Sequence, residues 1–214
     1  MQRCLENGDS ETGVSILYSV LKMDAGPIVS QLKVPLKGME KSPELLNSLF
    51  QLGAEELVRI LPFVFDKTVT MIEQNEDDAT LAPKLSSNDS FLDFSKLTAT
   101  QCHNRCRGYA GWPGTWTYFK MSGSEELVRV KIITTTLLDA NERRDSFSRD
   151  IIPGKVGNAD ILRVTCADGS SLGILELQPA NKKEMNVKAF INGLRGASIE
   201  YSCFQPTGSS TASQ

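Results

Sequence analysis

The chain has 214 residues, 40% of them hydrophobic and 23% charged, with a formal net charge of -3. That is the composition of an ordinary soluble globular protein of one large domain or two small ones. No apolar run approaches the roughly 18 residues of a membrane span, and the first residues form neither a secretory signal nor a transit-type stretch. The five cysteines, Cys4, Cys102, Cys106, Cys166 and Cys203, are scattered and odd in number. They argue against a disulfide framework and for a reducing compartment, so secreted, membrane-spanning and fibrous classes are set aside.

Residues 13–23 have the β-branched and aromatic content of a strand. Asp24-Ala25-Gly26-Pro27 reads as a turn, and alternation from Ile28 to Leu36 predicts a second strand. A helix follows over 43–62, with Ser42 as N-cap and Pro43 in its first turn. Its apolar residues recur at three-to-four spacing from Leu45 to Leu61. Gly53 is expected to split or cap this helix, and Pro62 to end or bend it. From Glu73 the pattern dissolves into a polar, acidic connection, which places a linker at 76–93 between two domains.

Beyond the linker, Leu97–Tyr109 predicts a short helix, with Thr98-Ala99-Thr100-Gln101 at capping-box spacing. Short strands are expected at Trp116–Met121, Leu127–Ile133, Gly154–Val156, Ile161–Cys166, Leu172–Leu177 and Ile199–Cys203. A further helix is expected from Lys188 to Leu194. Many short strands at this spacing indicate a small antiparallel barrel. The tail 206–214 has no apolar anchor and reads as disordered.

Charge divides along the same line. Residues 1–75 hold seven basic and ten acidic side chains, 76–93 hold one and five, and the remainder fifteen and eleven. A basic second half hints at an anionic partner.

Few residue groups point to chemistry. Asp24 sits in a tight turn after a strand, where a carboxylate can orient a base or a water. Spacing alone favours an Asx-type turn residue. Cys102-His103-Asn104-Arg105-Cys106 resembles a metal motif, but His103 is the chain's single histidine. No second pair stands at zinc-ligand spacing, so no metal is expected. Trp112-Pro113-Gly114-Thr115-Trp116, after Arg105 and Arg107, can stack bases or close one end of a barrel core. Lys182 and Lys183 can meet phosphates or simply be solvated.

The order of these pieces is more telling. Asn7-Gly8-Asp9, Glu11-Thr12-Gly13-Val14-Ser15-Ile16 and Met23-Asp24-Ala25-Gly26 come first. Ala82-Pro83-Lys84-Leu85, Leu92-Asp93-Phe94-Ser95, Arg107-Gly108-Tyr109 and Trp112-Pro113-Gly114-Thr115-Trp116 follow. Gln178-Pro179-Ala180-Asn181-Lys182-Lys183-Glu184-Met185 closes the series. Over roughly residues 2–203 this series resembles the methionyl-tRNA formyltransferases. The first group is shared with other folate-dependent formyltransferases.

The resemblance implies an α/β plus β fold. Residues 1–75 become the C-terminal part of a Rossmann-like catalytic domain, and 94–205 an OB-like barrel that helps to hold tRNA. It implies transfer of a formyl group from 10-formyltetrahydrofolate to the amine of initiator methionyl-tRNA, by a monomer that meets no membrane. Asp24 matches the family's catalytic Asp; Arg107, Lys182 and Lys183 match basic positions expected at tRNA. The family's Asn-x-His pair and Ser-Leu-Leu-Pro folate loop have no match in these 214 residues. The chain therefore resembles the last two-thirds of such an enzyme, and these residues alone are expected to be inactive. A non-catalytic RNA-binding module is the alternative. The family implies the bacterial cytoplasm, or mitochondria or plastids in a eukaryote.

Overall fold

The computed structural model describes residues 1–75, 77 and 79–202. Cys203 as the end of the last strand, the barrel limit at 205 and the tail at 206–214 lie outside the described residues, as do positions 76 and 78 of the linker. The chain divides into two compact units, Met1–Leu85 and the part from Ser86 on. None of the described helices is long and apolar enough to cross a membrane.

In the first unit α1 (Gln2–Asn7) leads into an antiparallel hairpin of β1 (Glu11–Leu17) and β2 (Ile28–Pro35), followed by α2 (Ser42–Phe65). The ladder runs from Glu11↔Pro35 to Leu17↔Ile28. It stops short of the strand end expected at Met23, because the Tyr18 N–H turns to the Pro27 carbonyl. Val20, Leu21 and Met23 beyond it are exposed. Among the described residues this unit holds no parallel strand pair.

Helix α2 runs unbroken for 24 residues. Gly53 does not split it: a Cβ there would lie 2.9 Å from Val14 Cγ1, so the glycine lets the helix sit close on β1. Pro62 falls in the last turn, and the helix continues to Phe65. Ser42 is already helical, and Lys41 takes the cap position without a side-chain bond. One stripe of α2, Leu45 and Leu49, meets Leu5, with Val14, Val34 and Leu36 packed around them. A second stripe, Leu46, Phe50, Leu57, Val58 and Phe65, is exposed. A helix apolar on more than one side is typical of a larger interior than these residues provide.

The second unit is a closed barrel. Its strands are β3 (Thr115–Met121), β4 (Leu127–Leu137), β5 (Asp150–Val156), β6 (Ala159–Thr165), β7 (Ser171–Pro179) and β9 (Ile199–Ser202). They pair antiparallel in the ring β4-β3-β9-β5-β6-β7, which β4 and β7 close. A short β8 (Met185–Asn186) adds to β7. Strands β5 and β9 form on one another and on their neighbours, so the expected barrel is a six-membered ring without a free edge among these strands. Helix α3 (Ala99–Gly108) lies against β4 and β7, and α4 (Val187–Leu194) against β6 and β7.

Period-two burial places Thr117 and Phe119 of β3 and Val130 and Ile132 of β4 inside. Register shifts between Ile132 and Thr135 then swap the inward set, so that Thr135 is buried and β4 continues to Leu137. The Thr98–Gln101 capping box forms on both sides. The barrel's packing starts ahead of residue 94. Leu92 is buried and its N–H meets the Trp116 carbonyl at 2.9 Å.

Tyr201 ties the last strand to this entry segment, its Oη donating to Asp93 Oδ1 at 2.7 Å. Burial pushes the Asp93 carboxyl up, but bonds from Ser95 and Tyr201 and the Lys96 ammonium outweigh it and hold the group below its ordinary value. Their stabilisation is full above the unfolded carboxylate range and is lost as pH falls through the lower folded value. Tyr201→Phe is expected to cost the barrel about 1.5–3 kcal/mol at neutral pH. In denaturant melts that gap should narrow below about pH 4; a gap that ignores pH would rule out the carboxylate as the partner that matters.

Candidate functional site

Two places carry chemistry, one in each unit. In the first, Asp24 lies in the loop 18–27 with φ +55°, its side chain exposed. Asp tolerates this left-handed conformation better than most residues because its short polar side chain can bond locally. The loop's inner wall is backbone: a Cβ on Gly26 would sit 1.7 Å from the Tyr18 carbonyl oxygen, so only glycine fits. Gln74 Nε2 donates to the Asp24 and Gly26 carbonyls at 2.8 and 2.7 Å. Nothing in the sequence singled out Gln74, because its partners stand about fifty residues away in the chain.

In the second unit, outward positions of three neighbouring strands form a row. Trp116 of β3 stands opposite Lys131 of β4, and Lys131 stands opposite Gln178 of β7. One step along, Tyr118 faces Arg129. The Arg129 guanidinium carbon lies 4.3 Å from the centre of the Trp116 ring. Trp116 in turn packs against Phe91 and Tyr118, with ring centroids 4.8 and 5.5 Å away. Around this row is a cleft of about 320 Å³, walled by Pro113, Gly114, Pro179 and Asn181.

Its loops are held firmly. Gly114 N–H bonds the Tyr109 carbonyl at 2.8 Å, Ala180 N–H the Arg129 carbonyl at 2.9 Å, and Gln178 Nε2 the Lys182 carbonyl at 2.9 Å. Lys131 has Glu184 only at 4.0 Å, with both side chains largely open to water, a weak pairing. Trp116 Nε1 is buried without a hydrogen-bond partner among the described residues. The exposed Arg129 and the half-buried Lys131 beside a fixed aromatic face can hold a phosphate and stack a base.

The residues expected from the sequence fall unequally around this cleft. Lys182 and Lys183 are exposed in the loop that follows its Gln178-Pro179 wall. Arg107 is different. It is 5% exposed, and its Nη2 bonds Asn104 Oδ1 at 2.7 Å within α3. Its helix is turned inward by Cys102 and Cys106, both buried in the barrel core, so Arg107 offers almost no surface to a phosphate. Trp116 lines the cleft and packs on Phe91. Arg129 and Lys131 alternate with the inward-facing Val130 and Ile132, and nothing in the sequence singled out either.

The Cys102–Cys106 segment is interior. The neighbouring Cys166 sulfur and burial push the Cys102 thiol well above its usual range, which makes it unreactive. His103 is buried and shares a hydrogen bond through Nδ1 with Thr135 Oγ1 at 2.9 Å. Among the described residues no three His, Cys, Asp or Glu side chains are grouped to hold a metal ion.

A family model described as "Formyl transferase, C-terminal domain" matches residues 84–195, and the chain belongs to that family. Over most of its length it is similar to methionyl-tRNA formyltransferases. It is 35% identical over 194 residues to that of Lactobacillus johnsonii, covering 90% of this chain and 57% of the relative. With that of Natranaerobius thermophilus it shares 32% over 195 residues, covering 90% and 59%. The chain thus spans less than two-thirds of the length of these curated relatives. Among solved structures, HypX from Aquifex aeolicus superposes with a TM-score of 0.60 at 15% identity, over 91% of this chain and 33% of that one. WlaRD, a sugar 3N-formyl transferase solved with dTDP and 5-N-formyl-THF, superposes at 0.54 and 16%, over 85% and 59%. At such identities the likeness is one of fold.

Proposed function

We propose that these residues are the C-terminal part of an enzyme that moves a formyl group from 10-formyltetrahydrofolate to the amine of initiator methionyl-tRNA. Residues 1–75 belong to its Rossmann-like catalytic domain, 76–93 link it onward, and 94–205 form the barrel that holds tRNA. The observation that carries this reading is the Trp116–Lys131–Gln178 row, with Arg129 stacked on its aromatic end, on the barrel of a formyl transferase.

The chemistry assigns each part a task. The amine nitrogen attacks the formyl carbon and loses a proton, the bond from that carbon to the folate nitrogen breaks, and the departing nitrogen takes up a proton. Asp24 supplies a fixed negative charge that orients the group taking the proton. Lys182, Lys183, Lys131 and Arg129 supply phosphate attraction, which gives affinity without reading sequence. Arg107, buried, supports α3 in place of the tRNA contact expected of it. Residues for the formyl donor itself do not fit: the Asn-x-His pair and the folate loop are not found in residues 1–214.

That same observation favours a second reading, a non-catalytic tRNA-binding module. Both are tested by titrating the purified chain with initiator tRNA while assaying formyl transfer. Binding is expected at 50 mM salt and should fall by about 10²-fold or more at 200 mM if four or more phosphates are engaged. Transfer by this chain alone is expected to be undetectable. Loss of tRNA binding at low salt would remove both readings; turnover would remove the second.

A further inference from the structure

Asp24 occupies the left-handed region at φ +55°, a conformation uncommon for residues other than glycine although Asp tolerates it better than most. The turn around it is weakly closed from within, since Ala25 N–H reaches the Lys22 carbonyl at 3.4 Å. Its support comes from far along the chain. Ile28 and Ile72 exchange two backbone hydrogen bonds, Ile28 N–H to Ile72 O at 2.8 Å and Ile72 N–H to Ile28 O at 2.9 Å. That bridge lays the segment after α2 beside the start of β2 and sets residue 74 beside the loop. From there a single side-chain nitrogen reaches the carbonyls of both Asp24 and Gly26.

The chemistry of that contact is selective. Two carbonyl oxygens are acceptors only, so the group between them must offer two hydrogens. The Gln74 amide NH₂ does so, one hydrogen to each side of Ala25. A carboxylate of the same shape offers none and would repel both oxygens. The two bonds fix the Asp24–Ala25 and Gly26–Pro27 peptide units, the first of them attached directly to the Asp24 Cα that carries the carboxylate side chain.

We propose that Gln74 is a positioning residue for Asp24, clamping the loop 18–27 so that the carboxylate is held in one orientation. This rests on the reading of Asp24 as the carboxylate that acts in formyl transfer. Gln74 itself touches neither substrate nor reacting atoms. It works by removing backbone freedom that the catalytic step would otherwise have to overcome.

The test uses the full 214-residue chain as wild type, Gln74→Ala, Gln74→Glu and Asp24→Asn. Hydrogen exchange of peptides covering 18–27 is read by mass spectrometry, with tryptic cleavage after Lys22 as a second probe at neutral pH. Loss of two hydrogen bonds in Gln74→Ala should speed exchange of the loop about tenfold, while β1 and β2 keep their protection. Gln74→Glu, although isosteric, should be looser than Gln74→Ala at pH 7. Its excess over wild type should shrink as the new carboxyl is protonated near pH 4 (about the Glu range), because a protonated acid regains one donor.

A role in packing alone predicts the reverse order, with the isosteric Glu milder than Ala and no dependence on pH. That order overturns the clamp. So does unchanged loop exchange in both variants, or exchange that rises equally along β1 and β2. Asp24→Asn should leave loop protection as in wild type. If an active formyl-transferring chimera of this chain loses nothing on Asp24→Asn, the reading of Asp24 falls, and the exchange data still decide separately whether Gln74 clamps the loop.

Discussion

Asp24→Asn is expected to lower formyl transfer by about 10²- to 10⁴-fold in a chimera that places ahead of Met1 the part of the Lactobacillus johnsonii relative this chain does not match. The substitution is chosen for what it spares. Asn has the same shape, tolerates the left-handed backbone of this turn and keeps an oxygen for local bonds. It removes only the charge. The effect should therefore fall on kcat, with KM for tRNA and the melting curve unchanged. Equal activity of the two chimeras would dismiss Asp24 as a catalytic group.

The same physics explains why the 214 residues alone should not turn over. Asp24 is exposed, and in water of high dielectric a single carboxylate at about 4 Å orients a partner charge by only about 1 kcal/mol. Catalytic charge works when water is excluded and its partners are fixed. The apolar stripe of α2 is open as well, with Phe50 71% and Phe65 77% exposed. Covering that stripe and covering Asp24 are expected to come together in the chimera, as a gain in stability accompanying a gain in activity.

Much of the barrel was legible because its signals are local. Alternation in Thr117–Phe119 and Val130–Ile132 marks inward faces, and the Thr98–Gln101 spacing marks a helix start that the structure forms in full. Legibility stopped where long-range pairing decides. Strand β4 was expected to end at Ile133, but a register shift restores the alternation one residue out of phase and carries it to Leu137. Gly53 reads as a helix breaker until Val14 is seen against it. Residues 19–23 have strand composition but lie beyond the β1–β2 ladder, which ends at Leu17↔Ile28.

For the site the division is similar. The motifs that carry the resemblance pointed to Asp24, the tryptophans and the Gln178–Lys183 loop. The match of Arg107 to a basic position of the family carried no sign of its burial, which follows from Cys102 and Cys106 drawing α3, and Arg107 with it, into the barrel. Gln74 and Lys131 were missed for one reason. Each matters through a neighbour that only the fold supplies, the Asp24 loop in one case and Trp116 with Gln178 in the other.

The cleft gives the second large effect. Replacing Arg129 and Lys131 together by Ala is expected to reduce the slope of log affinity for tRNA against log salt by about 1.4–1.8, since each neutralised phosphate contributes roughly 0.7–0.9. At 100 mM salt the loss should be tenfold or more, and it should be similar for any tRNA, because phosphates carry no sequence information. Trp116→Ala should act differently. Removing a stacking face costs about 1–3 kcal/mol per base, with the salt slope unchanged. Trp116→Phe, which keeps a ring against Phe91 and Tyr118, should retain the fold and part of the affinity. Arg107→Ala sets the contrast. As a buried arginine bonded to Asn104, its loss should lower the barrel's melting temperature and leave the salt slope of the folded fraction intact. A drop in slope with Arg107→Ala, and none with Arg129 and Lys131, would move the RNA-binding face from the β3–β4–β7 row to α3. The measurement thus separates attraction from stacking and both from stability, using three readouts that one mutation cannot shift together.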